Sequence, residues 1–160
     1  MKALSLVQPR ASLFAIGALT TETRPFGSTY RGPVAIHTPL WMPTLHRNLC
    51  EVEPILSTLR AAGLNFLDLP RSQVVAVADL VDCRPIQRED PAPSELEDLA
   101  NDWAPGRFVW RFENVRPLLP PLTAGGRQGL WEWTPPKYWD LRIKPAWPRP
   151  ASAAPTGADR

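Results

Sequence analysis

The sequence predicts a mainly β fold with peripheral helices, closing into a small open β-barrel. Three observations carry this expectation. Six or seven short segments alternate apolar and polar residues or are rich in β-branched ones. Twenty prolines, about double the usual share, divide the chain into brief elements. Helical periodicity, finally, extends over only a few short stretches.

"KALSLV" alternates and opens the chain as a strand. Pro9 then sits where a helix can begin, Leu13, Phe14 and Ile16 form its apolar stripe, and Gly17 is placed to end it in the left-handed conformation. "TTETR" and "PVAIH" read as the next strands, joined by the turn-forming "PFGSTYRG". From Pro54 to Ala62, Ile55, Leu56, Leu59 and Ala62 share one side of a second helix, which Leu49 and Val52 extend backwards, as an insertion over one end of the sheet. "QVVAVADLVDC" is β-branched and nearly continuous in hydrophobicity, as a strand covered on both faces would be. Ser94, with Glu97 three residues later, is a capping box opening a short acidic helix. In "RFVWRFENV", Phe108, Trp110 and Phe112 take one face and Val109, Arg111 and Glu113 the other. "GLWEW" repeats the alternation, and "YWDLRIK" does so with Trp139, Leu141 and Ile143, which predicts a last strand.

A chain of 160 residues suits one domain, residues 1–147, followed by a flexible Pro- and Ala-rich tail over 148–160. No apolar run approaches a membrane span and the first residues lack a secretory h-region, so a cytoplasmic protein with no membrane partner is expected. Cys50 and Cys83 are too far apart for a metal knuckle and read as buried thiols. With His37 and His46 the only histidines, no metal site and no cofactor are expected. The sequence also lacks a dinucleotide fingerprint, a P-loop and a nucleophile elbow. The net charge of +2 conceals a segregation: residues 1–46 carry +3, residues 47–104 carry −6 and residues 105–160 carry +5. If the basic ends meet, one face attracts phosphate while the middle of the chain faces elsewhere.

The blocks "ALSLVQPRASLFAIGALTTETR", "TYRGPVAIH", "VVAVADLVDC", "FVWRFENVRPL" and "QGLWEW" resemble, in order and spacing over residues 2–133, the ASCH domain family. The resemblance implies a PUA-like open β-barrel with a cleft beside the helix after the first strand, binding RNA or nucleobase-like ligands. Some relatives resemble amidohydrolases acting on N-acylated cytidine, and others ribonucleases. Several family positions differ here. The Lys that the amidohydrolase-like members use is Leu19, the Thr three residues on is Glu22, the Trp of "Q-P-W" is Arg10, and the Lys of "H-x-x-K" is Leu40. Leucine cannot activate a nucleophile or take a proton.

Glu22 and Arg24 share a strand face; together they suit a polar planar ligand, or they stitch two strands as an ion pair. Tyr30 and Arg31 can stack on a base or reach phosphate, or simply form the turn into a strand. His37, on a core-like strand, is either a ligand or acid–base group or a satisfied structural histidine. Arg111, Glu113 and Asn114 complete a nucleobase-reading set if the barrel brings them to Glu22, and otherwise form a ladder with Arg24. Trp41 and Phe26, in loops, are candidates for stacking. The leading expectation is a monomeric module that binds RNA, single-stranded nucleic acid or a nucleoside-like molecule through these residues. The alternatives are an amidohydrolase or ribonuclease with Glu22 as base and His37 or an Arg as electrophilic help, and an interaction scaffold whose cleft has decayed.

Overall fold

In order, the chain forms β1 (Lys2–Ser5), α1 (Arg10–Ala15), β2 (Thr21–Arg24), β3 (Gly32–Thr38), α2 (Thr44–Leu49), α3 (Ile55–Ala61), β4 (Gln73–Pro85), α4 (Glu95–Ala100), β5 (Phe108–Thr123) and β6 (Leu130–Glu132). Single 3-10 turns lie at Phe66–Asp68 and Trp139–Arg142. These elements come from a computed structural model that describes residues 1–148, so the expected tail lies outside the described residues apart from Pro148. The six strands form one sheet in the order β2-β5-β4-β3-β1-β6, antiparallel throughout except for the parallel pair β1 and β3. The sheet curls into a half-barrel, in agreement with the expected open, mainly β fold. Register shifts supply the curl. Three interrupt the β4–β5 ladder and one falls between Ile36 and His37 of β3, and each extra residue bends its strand and increases the local twist.

The hollow of the half-barrel holds α1. Gln8 starts this helix: its side-chain oxygen accepts from the Ser12 N–H at 3.0 Å while its amide donates to the Pro70 carbonyl at 2.9 Å. Gly17, at φ +76°, ends it as expected, with the Gly17 and Ala18 N–H groups bonded back to Phe14 and Leu13. Between these ends every residue from Ala11 to Ala15 is buried, and Phe14 meets Phe112 edge to face at 5.5 Å. The other face of the sheet carries a second core of Val74, Val77, Leu118, Leu122, Trp131 and Trp133, onto which Trp139 and Ile143 pack. β4 contributes to both cores, which explains its continuous hydrophobicity.

Three sequence expectations need correction. Trp139–Arg142 is a 3-10 turn and not a strand: Leu141 is exposed, and Trp139 and Ile143, four residues apart, face the second core together. The helix at Pro54 does not extend back through Val52 and Leu49; proline disfavours a helical residue before it, so α2 and α3 are separate. β5 runs past the expected "RFVWRFENV" through Pro117, Pro120 and Pro121. Prolines are tolerated there because β2 pairs only with residues 108–111, and among the described residues the remainder of that edge has only an isolated bridge, Leu118 to Ile143, and no partner strand.

Candidate functional site

A cavity of about 720 Å³ opens where the ends of β1, β2 and β3 meet the loops that follow them. Ser5, Arg24 and His37 come from the strand ends. Phe26, Leu40 and Trp41 form an apolar wall, and residues 126–129 of a Gly-rich loop close the far side. Among the described residues lining it, the charged ones are Arg24 and Arg127, so the cavity is cationic.

Behind Arg24 lies Glu22, whose side chain is 0% exposed. Arg10, from the start of α1, places Nη1 3.1 Å from Glu22 Oε1, and Arg24 Nε approaches the same oxygen at 3.1 Å. The Arg24 contact lacks hydrogen-bond alignment, leaving that Nε without an acceptor, so the attraction is one of charge. Arg24 is held further by donating from Nη2 to the Ser5 carbonyl at 2.5 Å, and 20% of its side chain remains exposed at the cavity wall. Burial lowers its affinity for the proton, Glu22 opposes this, and Arg10 and Arg107 reinforce it. Two guanidinium groups thus share one carboxylate, and the floor of the cavity keeps a surplus positive charge.

His37 stands in register with Ser5 on the parallel pair β1–β3, directly after the irregularity in β3. Its Nδ1 lies 3.0 Å from Ser5 Oγ and its Nε2 3.0 Å from the Ala124 carbonyl. The Trp131 ring meets it edge-on at 5.6 Å and donates its indole N–H to Ser5 Oγ at 3.2 Å. Burial pushes the imidazole below its ordinary pKa and the Ala124 carbonyl partly offsets the shift. Gly126 lies against the same group: a Cβ there would come within 2.3 Å of His37 Cε1 and 3.0 Å of Ser5 Oγ, so only glycine allows the loop to close this tightly.

Of the residues singled out from the sequence, Arg24, His37, Phe26 and Trp41 meet at the cavity, with Glu22 beneath them. Arg111, Glu113 and Asn114 do not join them. Arg111 pairs with Glu113 on the exposed face, and Asn114 donates to Asp79, which also holds Arg116. Antiparallel partners share a face, and Glu22 opposes Trp110 while Thr21 opposes Arg111; the alternation therefore sends Arg111 away from Glu22. Nor does Arg111 form the alternative ladder with Arg24, whose partners are Glu22 and Ser5. Tyr30 and Arg31 serve their own turn: Tyr30 donates to the Pro33 carbonyl, and Arg31 to the Ser28 and Tyr30 carbonyls, with Asp82 3.7 Å away. Leu19 is buried in the first core. Sequence reasoning missed Ser5, Gly126 and Arg127 as lining residues, and Arg10 as the second partner of Glu22.

The fold and site together define a class: a curled six-stranded half-barrel with a cationic, aromatic-walled cavity at one end. No family model matches the chain, and no curated protein matches it significantly. Among the described residues, no helix is long and apolar enough to cross a membrane.

Proposed function

We propose that the cavity receives a nucleobase or nucleotide, free or carried on RNA or single-stranded nucleic acid, in the manner of an ASCH-type, PUA-like module. The observation that carries this reading is the pairing of exposed aromatic surface with surplus positive charge in one hollow. Trp41 is 68% exposed and Phe26 37% exposed, beside a guanidinium that Glu22 and the Ser5 carbonyl hold in place. A planar base stacks on such a wall at about 1–3 kcal/mol per base. A preoriented Arg suits a phosphate or a base carbonyl. The amidohydrolase alternative built on Glu22 as base loses support, because a carboxylate that is 0% exposed and ion-paired with two arginines has no direct access to a substrate.

Titration of the full chain with nucleoside monophosphates and with short single-stranded RNA and DNA, over a series of salt concentrations, tests the reading. Affinity is expected to fall with salt, with a log–log slope near −0.7 for each phosphate engaged. Trp41→Ala is expected to weaken binding about 10-fold at all salt concentrations, and Arg127→Ala to reduce the slope by about one phosphate contact. Absence of binding to all three ligand classes at low salt, or affinity indifferent to both substitutions, would reject it.

A further inference from the structure

The contacts of Ser5 and His37 are those of a nucleophile and its base. The Ala124 carbonyl can only accept a hydrogen bond, so the ring proton of the neutral imidazole lies on Nε2. Nδ1 therefore presents its lone pair to the Ser5 hydroxyl, 3.0 Å away. A histidine whose tautomer is fixed by a third group, with its remaining nitrogen on a hydroxyl, is the arrangement that activates serine. Here a backbone carbonyl takes the third role. The Arg127 carbonyl, at 3.1 Å, is a second acceptor for the same hydroxyl, but it cannot carry a proton away, so only His37 can act as base. Trp131 fixes Oγ by donating to it, Gly126 leaves room for both side chains, and Ser5 lies at the cavity wall with His37, itself 0% exposed, directly behind its hydroxyl.

We infer that Ser5 is an acyl-accepting nucleophile and His37 its general base, acting on carboxylic esters whose apolar portion lies along Phe26 and Trp41. In the first step Oγ bonds to the ester carbonyl carbon while its proton passes to Nδ1. The tetrahedral adduct then collapses, the carbon–oxygen bond to the leaving alcohol breaks, and that alcohol takes the proton from Nδ1. Water hydrolyses the acyl-serine by the same route, giving the acid and restoring the hydroxyl. Arg24, bonded to the carbonyl of Ser5 itself, puts positive charge beside the developing oxyanion. The inference does not depend on nucleobase binding, and its probes contain no base or phosphate diester.

The test is covalent labelling of the full chain with an alkyl fluorophosphonate, mapped by peptide mass, alongside release of p-nitrophenol from p-nitrophenyl butyrate. One adduct is expected, on the peptide holding Ser5, absent in Ser5→Ala. His37→Gln, its fold checked by circular dichroism, is expected to label about 100-fold more slowly. The labelling rate is expected to be level above neutrality and to fall in acid with a midpoint below 6.5, because burial depresses His37. The charged side chains sharing its cavity among the described residues are Arg24 and Arg127. If Ser5→Ala does not fold, the site of the wild-type adduct decides alone. No adduct on native protein, an adduct on another residue, or equal labelling of folded His37→Gln would overturn the inference.

Discussion

At Glu22 the structure shows the ion pair that was one of its two readings, with the carboxylate fully buried behind Arg24. Its pairing with Arg24 follows from their spacing on a strand, whereas the approach of Arg10, twelve residues earlier and on a helix, depends on how α1 lies in the half-barrel. The only trace of this in the sequence is Arg10 itself, in "QPR" just before the helix. Removal of the carboxylate would leave two largely buried guanidinium groups against each other. Breaking a buried pair in this way typically costs about 3–5 kcal/mol. Glu22→Gln is therefore expected to lower the denaturation midpoint sharply in a urea titration. Arg10→Met in the same chain is expected to recover part of the loss, since it removes the cation left over. A midpoint unchanged by Glu22→Gln would mean that the three charges are not coupled. Ser5 was illegible for a related reason: a serine in "KALSLV" gives no sign that the parallel register sets it opposite His37.

Among the elements, the strands were the most legible, because alternation of buried and exposed side chains is a local pattern that survives folding. Trp110 and Phe112 face the first core as that pattern requires. The failures lie where a pattern is too short to fix its period. Over Trp139–Ile143 a spacing of two and a spacing of four both place Trp139 and Ile143 together, and only the exposure of Leu141 separates them. α4 adds a different lesson. Ser94 caps it as expected, accepting from the Glu97 N–H at 3.2 Å. The Glu97 carboxylate does not complete the box but turns to β2, accepting from the Thr20 N–H at 2.7 Å, the Thr21 N–H at 3.2 Å, both threonine hydroxyls and Asn101. A helix-capping signature thus conceals a tie between a helix and an edge strand. Glu97→Ala leaves several buried donors without an acceptor, and at about 1–3 kcal/mol for each unsatisfied group it is expected to destabilise the fold by at least about 2 kcal/mol in thermal or urea melts. Ser94→Ala is expected to cost only about 1 kcal/mol. Equal effects of the two would show that Glu97 acts only as a cap residue.

For the whole molecule, the question is where the folded unit stops. Composition draws the line near Pro148, where Pro, Ala and small polar residues begin. The described contacts give that line a physical basis on its inner side. Trp139 stands against Trp133 at 5.8 Å, the Ile143 backbone bridges to Leu118, and Trp147 donates its indole N–H to the Ala62 carbonyl at 3.0 Å while packing on the first core. Residues 139–147 thus touch both cores, one on each face of the sheet, and link them across the end of the half-barrel. A chain cut after Pro148 keeps all these contacts and is expected to melt with the full-length protein. A chain cut after Pro135 loses three apolar side chains packed on the cores, Trp139, Ile143 and Trp147, and uncovers Trp133, and partial burial at roughly 25 cal/mol per Å² of apolar surface makes the loss several kcal/mol. It is expected to melt well below the full chain and to bind a hydrophobic dye such as ANS before the main transition. Coincident melts for the two truncations would mean that the second core closes without residues 139–147, and the domain would then end near β6.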